Sequence, residues 1–323
     1  MLARANVMLL LLGVIAVAIV LIVTVFRAGT FRLSLDELRS QYSRSTTQFM
    51  DIKGLSIHVE DEGTGPVVLL IHGSFGSLRT WDVMVENLKQ KYRFVRFDMP
   101  AYGLSGAPLP GDEAAGFTQT EIIEIILERL GIEELSIVGT SSGGSVGYWY
   151  AAAHPEQVEK IAFLNTPSDP VRVPRSARPP LVRWYMRLCD DILRFRIPAF
   201  WRAYYTYLWG EPERLQESLL EEYYDMNRRV VSYVPRQLVP SNPNREEVLR
   251  RTSSIRIPSL LIWGMRDPVL PPPALDSLRG KLENSPKAVV ELPTVGHYPM
   301  SEVPEEVSRL VDTFLSEPVQ LAQ

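Results

Sequence analysis

Residues 135–148 read LSIVGTSSGGSVGY, and no other stretch restricts the fold as tightly. Residues 135–138 form a short apolar run of the kind a buried strand needs, and a helix-compatible segment follows Gly143. The chain must therefore turn from strand to helix within Gly139-Thr140-Ser141-Ser142-Gly143. A turn that sharp strains its central residue and leaves no room for side chains on its flanks, which explains the two glycines. It lifts the Ser141 hydroxyl above the sheet edge, beside the free N–H groups and positive end of the helix, where an oxyanion is well placed. This G-x-S-x-G spacing is that of an activated serine. A second register, Gly143-Gly144-Ser145-Val146-Gly147, competes, but Ser145 falls one helical turn past the strand end, inside the helix. Ser141 is the expected nucleophile. Because a pentapeptide recurs by chance, the rest of the chain must supply its partners.

The amino terminus stands apart. Residues 7–26, VMLLLLGVIAVAIVLIVTVF, run for twenty positions without a charge, long enough for the roughly 30 Å hydrocarbon core of a bilayer. The apolar region of a cleaved signal peptide is usually only about 7 to 15 residues. The expectation is a single-pass membrane anchor at residues 1–27. Arg4 precedes the span while Arg27, Arg32, Arg39 and Arg44 follow it, so the positive-inside rule favours a cytoplasmic globular part. Residues 28–46 read as a juxtamembrane linker whose amphipathic run LSLDELRSQY either lies on the headgroups or is a solvated spacer.

From residue 47 onward strand and helix patterns alternate. Two β-rich runs flank Lys53-Gly54, a hairpin signal. VVLLI at 67–71 is continuously apolar, as a strand covered on both faces must be, and it runs into the loop His72-Gly73-Ser74-Phe75-Gly76. Trp81, Met84, Val85 and Leu88 follow at helical spacing, then a strand at 92–98. Thr118 and Glu121 have capping-box spacing, ahead of a helical face of Ile122, Ile125, Ile126 and Leu130 that stops at Gly131. Further strands are expected at 160–164, 257–263 and 288–292, and a last helix carries Val303, Val307, Leu310, Val311 and Phe314 on one side. This order predicts an α/β fold, a mostly parallel sheet flanked by helices, split into residues 47–165 and 246–323.

Between the two parts, residues 166–245 have their own composition. They hold 12 of the chain's 30 aromatics and 13 arginines, no lysine and 9 acids, a local charge of +4 in a chain whose net charge is −4. Long aromatic helical stretches broken by prolines predict a helical cap over the sheet. Some of its aromatics must form the cap's own core, and the others are expected to line an apolar pocket. The whole-chain balance carries no nucleic-acid signature. A single cysteine, Cys189, excludes an intramolecular disulfide and makes a structural zinc site improbable, so it reads as a packing residue. No metal or organic cofactor is implied.

A serine hydroxyl needs a base within hydrogen-bond reach. Of four histidines, His58 sits in a strand, His72 precedes a glycine in a loop and His154 closes a helix, whereas His297 lies in the loop Thr294-Val295-Gly296-His297-Tyr298-Pro299 directly after an expected strand. An imidazole base in turn needs a carboxylate to fix its tautomer and stabilise its charged form. Asp267, in Gly264-Met265-Arg266-Asp267-Pro268, follows the strand ending at Trp263.

Through these residues the chain resembles the α/β-hydrolases from about residue 47 to 315, with HGSFGSLRTW, FDMPAYGLSG, VGTSSGG, WGMRDPVLPP and VGHYPMSEVPEEV in that order. The resemblance implies Ser141 as nucleophile, Asp267 as acid and His297 as base. It also implies the backbone amides of Ser74 and Ser142 as oxyanion donors, and a cap at the site of the insertion. Relatives with aspartate at the nucleophile position, epoxide hydrolases and haloalkane dehalogenases, differ from this chain at Ser141. Phe75 and Ser142 stand where relatives often have a small and a larger apolar residue respectively. The expected pocket residues are Phe75, Trp184, Trp201, Tyr204, Tyr205 and Tyr298. The expected activity is hydrolysis of carboxylic esters or related acyl bonds of a hydrophobic or lipid-like substrate. A C–C bond hydrolase with the same triad and a non-catalytic ligand-binding protein of this fold are the alternatives.

Overall fold

The strand pattern of VVLLI dictates the architecture, because a strand apolar at every position has to be covered on both faces. In a computed structural model, which describes residues 2–108, 117–169, 173–229 and 245–317, Val68, Leu69, Leu70 and Ile71 are all buried. The chain begins with α1 (Leu2–Arg27) and α2 (Leu35–Tyr42). Next come β1 (Gln48–Ile52), β2 (Leu55–Gly63), β3 (Val67–Ile71), α3 (Asp82–Leu88), β4 (Arg93–Phe97), α4 (Gln119–Arg129), β5 (Leu135–Thr140), α5 (Ser142–Ala153) and β6 (Val158–Leu164). The insertion contributes α6 (Pro180–Met186), continued by a π-helical turn (Arg187–Leu193), then α7 (Pro198–Leu208) and α8 (Glu217–Asn227). The chain closes with α9 (Arg245–Ser254), β7 (Ser259–Gly264), α10 (Pro272–Lys281), β8 (Lys287–Leu292), α11 (Pro299–Glu302) and α12 (Pro304–Ser316).

The sheet has eight strands in the order β1-β2-β4-β3-β5-β6-β7-β8. β2 pairs antiparallel with β1 and β4, and every other pairing is parallel. Successive side chains of a strand point to opposite faces, so the strands feed two cores. Leu69, Ile71, Ile137, Ile161 and Leu261 pack with α4, α5 and α10 on one face. Val68, Leu70, Val138, Ala162 and Ile262 pack with α3 and α12 on the other. The second core continues into the insertion through Phe200, Trp201, Tyr205, Leu208 and Tyr223. Parts of the expected 166–245 cap, residues 170–172 and 230–244, lie outside the described residues, as do Met1, 109–116 and 318–323.

The expected linker departs from its sequence reading. Within residues 28–46, α2 is closed by a capping box between Ser34 and Glu37, and its apolar face covers protein. Leu38 is fully buried against Leu104 and Met226. The Tyr42 hydroxyl donates to Asp225 in α8 (2.8 Å), and the Arg39 guanidinium donates to the Leu104 carbonyl and to Ser56 Oγ (3.1 and 2.9 Å). Arg44 forms a fork on Glu60 (2.8 and 2.7 Å) and reaches Asp82. α1 projects with its apolar side chains exposed. Its last turn meets the insertion, where Arg27 donates to the Ile192 carbonyl (2.9 Å) and the rings of Phe26, Phe31 and Phe195 cluster at 4.8 to 6.1 Å.

Candidate active site

The elbow forms as its glycines require. β5 runs to Thr140, two residues beyond the expected apolar run, and Ser141 takes φ 50° and ψ −127°, a left-handed setting that costs energy for a residue with a Cβ. A Cβ on Gly139 would come within 2.7 Å of Gly144 Cα, and one on Gly143 within 2.3 Å of the His72 carbonyl oxygen. Either would push α5 off the sheet. Ser142 is the first residue of α5, so its N–H has no acceptor inside the helix. Ser145 sits inside α5, where its hydroxyl donates to the Pro167 carbonyl (3.0 Å).

Three sequence-distant side chains converge at this turn. His297 Nε2 lies 3.2 Å from Ser141 Oγ, and His297 Nδ1 lies 2.6 Å from Asp267 Oδ2. Asp267 and His297 are buried, 3% and 5% exposed, which shields their interaction from water. Burial alone would raise the Asp267 pKa, but His297 and the N–H groups of Leu270 and Val269 hold it below the ordinary carboxylate range. The carboxylate thus stays ionised and its second oxygen accepts from His297. Of the competing histidines, His154 stacks on Tyr150 at the end of α5 (4.5 Å). His72 accepts the Met99 N–H at Nε2 (2.9 Å), which leaves Nδ1 to donate to the Gly73 carbonyl (2.8 Å). Burial lowers its pKa and keeps it neutral, so His72 stiffens the loop carrying Ser74.

Two residues that sequence reasoning passed over hold this frame. Asn165, just past β6 at φ 39°, donates from Nδ2 to Asp267 Oδ2 (2.7 Å) while its Oδ1 accepts the Gly264 N–H (2.9 Å). It locks Asp267 to the end of β7. Asparagine is one of the few residues that tolerates such a φ, and that is the only local signal it gives. Glu302 accepts from the Gly296 N–H (2.8 Å) and the Gly210 N–H (2.9 Å). The loop of His297 is thereby tied to the end of α7, where the His297 N–H also donates to the Leu208 carbonyl (2.8 Å).

Over the serine lies a cavity of about 330 Å³ lined by Ser74, Ser141, Ser142, His297 and, among the expected aromatics, Phe75, Tyr204 and Tyr298. Tyr148, Leu208, Val248, Val269 and Leu270 complete its apolar wall. Phe75 adopts φ 65° and packs edge-on against Trp201 and Tyr204, and its carbonyl accepts from Asn227 of α8 (2.9 Å). The Ser74 and Ser142 hydroxyls lie 3.0 Å apart. Three expected pocket residues do not line it. Trp201 and Tyr205 are fully buried in the core the insertion shares with the sheet, packed on Phe75 and Tyr298 respectively, and Trp184 is exposed on the insertion's surface. On α7, Trp201 and Tyr205 are one turn apart and share the inward face, which leaves Tyr204 toward the cavity. A larger cleft of about 800 Å³ lies between α6, α7 and α8 and includes no triad residue. Among the described residues, no group of three or more His, Cys, Asp or Glu side chains is placed to hold a metal.

The sequence model of the alpha/beta hydrolase fold family matches residues 66–304. The chain is 27% identical over 294 residues to the cis-3-alkyl-4-alkyloxetan-2-one decarboxylase of Shewanella oneidensis, covering 85% of this chain and 89% of that one. It is 29% identical over 265 residues to the pimeloyl-[acyl-carrier protein] methyl ester esterase of Nitrosomonas europaea, covering 78% and 96%. Among solved structures, a membrane phospholipase A, a bacterial virulence factor, superposes with a TM-score of 0.62 at 23% identity over 98% of both chains.

Proposed function

This chain belongs to the α/β-hydrolase fold family, which supports hydrolase chemistry, and from that premise we propose that it is a membrane-anchored serine esterase acting on lipophilic acyl esters. The observation that carries the proposal is the relay Ser141–His297–Asp267, at 3.2 and 2.6 Å, at the mouth of an apolar cavity. His297 takes the Ser141 proton as Oγ attacks the ester carbonyl. Asp267 stabilises the imidazolium, and the amides of Ser74 and Ser142 receive the oxyanion. The proton then passes to the leaving alcohol; His297 next takes a proton from a water that attacks the acyl-enzyme carbonyl, and collapse releases the carboxylic acid while His297 returns the proton to Ser141 Oγ. A similar esterase, that of Nitrosomonas europaea, acts on a methyl ester of an acyl chain. For the anchor, residues 6–27 of α1 have a mean hydropathy of 3.3 in their most apolar window and bury none of it. The likeness to the membrane phospholipase A extends over 98% of this chain, so it takes in most of that helix.

The test is intact-mass labelling with a fluorophosphonate probe on the full chain in detergent, beside Ser141→Ala and Ser145→Ala. One adduct, lost only in Ser141→Ala, together with hydrolysis of p-nitrophenyl esters, is the expected result. Loss only in Ser145→Ala, or no adduct on any form, refutes the assignment.

A further inference from the structure

Besides the catalytic cavity, the insertion carries a second polar cleft of about 420 Å³, where the end of α1 meets it. Its lining includes four arginines, Arg32, Arg194, Arg196 and Arg228, against a single carboxylate, Asp190. Asp190 is already shared, 2.9 Å from Arg196 and 3.7 Å from Arg175. Arg228 is held by Asp225 (2.8 Å), and the neighbouring Asp191 is taken by Arg175 (2.9 Å). Arg32 and Arg194 make no ion pair among the described residues. Among the described residues the Arg32 guanidinium donates only to the Arg194 and Arg229 carbonyls (2.9 and 3.5 Å), and Arg194 is exposed. Two guanidiniums that form no ion pair, beside two already paired ones, make a site that attracts an anion, and the planar fork of arginine matches the oxygens of a phosphate.

Its position identifies the source of that anion. Phe195, which lines the cleft, packs against Phe26 in the last turn of α1 (5.5 Å) and Phe31 just beyond it (6.1 Å). Arg32 follows them directly. The Arg27 bond to Ile192 fixes the adjoining π-helical turn to the same end of α1. Ile192, Leu181 and Trp184 are exposed apolar residues of this part of the insertion, at 47%, 58% and 55%. With α1 in a bilayer, an arginine cleft fixed to the end of the span, on an insertion that exposes apolar side chains, lies at headgroup depth. We infer that this cleft binds the phosphate of an anionic membrane lipid, and so seats the cap on the leaflet that supplies its lipophilic substrate. The inference rests on the membrane-anchor part of the proposed function and is independent of the triad.

The experiment is native mass spectrometry of the full chain carrying Ser141→Ala, to prevent turnover, in an uncharged detergent with phosphatidylglycerol, phosphatidylcholine or inorganic phosphate. The expected result is phosphatidylglycerol bound about tenfold better than net-neutral phosphatidylcholine, the size of effect one charge-assisted hydrogen-bonded contact provides. Arg194→Gln abolishes that preference, and Arg194→Lys, which keeps the charge, retains most of it. Equal retention of the two lipids, or a preference unchanged in Arg194→Gln, overturns the inference. Inorganic phosphate that binds as well as the lipid, with the same dependence on Arg194, overturns the lipid as its source. Hydrolysis of a short soluble ester by Arg194→Gln with Ser141 intact is expected at the parent rate, so a failed esterase assignment and a failed lipid site give separate readouts.

Discussion

His58 and Asp98 form a buried pair whose contribution to stability can be read from the geometry. His58 Nδ1 lies 2.7 Å from Asp98 Oδ2, with side chains 2% and 1% exposed. Burial by itself would lower the histidine pKa. The Asp98 carboxylate overrides that, with help from Glu60, and holds it up at about 9 against an ordinary 6.5. A histidine that binds its proton more tightly in the folded state stabilises the fold fully below pH 6.5 and loses that contribution as pH rises through about 9. The size of the shift corresponds to about 3 kcal/mol, or about 6 °C in melting temperature for a chain of this length. The same carboxylate accepts the N–H groups of Leu78 (2.7 Å) and Leu104 (2.7 Å), so it also fixes the loops that follow β3 and β4. The assay is a series of thermal melts followed by tryptophan fluorescence, in detergent, from pH 6 to 9.5, on the parent and His58→Gln. The parent should lose that increment across the range. His58→Gln should start about 3 to 5 kcal/mol less stable, because it leaves the Asp98 charge buried without its partner, and should lack this alkaline component. Parallel pH curves for the two proteins would refute the argument, since they would mean that His58 is neutral in the folded state.

Asp267→Asn should fold normally but lower kcat on the order of 10⁴-fold, because an amide in that position favours the wrong tautomer of His297; ester hydrolysis beside a circular dichroism spectrum checks it. Gly296→Ala should lower both stability and activity, because the new Cβ would stand 2.1 Å from the Leu208 carbonyl oxygen and 2.5 Å from the Gly210 nitrogen, prising the His297 loop from the cap. Gly280→Ala is the matched control. It lies in α10 with nothing within 4 Å of the new Cβ and should leave activity unchanged while adding about 0.5 to 1 kcal/mol of stability.

What could be read from the sequence follows the range over which each feature is decided. The strands, the capping box at Thr118 and the elbow are fixed by neighbours within a few residues, so spacing alone announces them. That Ser141, Asp267 and His297 converge is legible because each sits in a loop that follows a strand, and parallel strands deliver such loops to one edge of the sheet. The residues that hold them in place carry no such sign. Asn165 meets Asp267 across 102 residues and Glu302 meets Gly210 across 92, and each is ordinary in its local context. His58 read as a strand residue because its partner lies 40 residues away. The linker was misread for the same reason, since Leu38 is covered by Leu104 and Met226, which the amphipathic pattern of α2 cannot distinguish from a headgroup layer. Nor can composition separate the aromatics that build a cap from those that line a cavity, and Trp201, Tyr205 and Trp184 fell on the wrong side of that division.

These long-range contacts share a consequence for how the site works. Leu208 and Gly210 at the end of α7 hold the loop of His297, and Asn227 of α8 holds the loop of Phe75 beside Ser74. Both ends of the proposed chemistry, the base and the oxyanion loop, are thus fastened to the insertion rather than to the sheet alone. α2, docked on Asp225 and Leu104, fastens the chain after α1 to the same insertion and to the loop after β4. The insertion is therefore a structural member of the proposed active site as well as its cover.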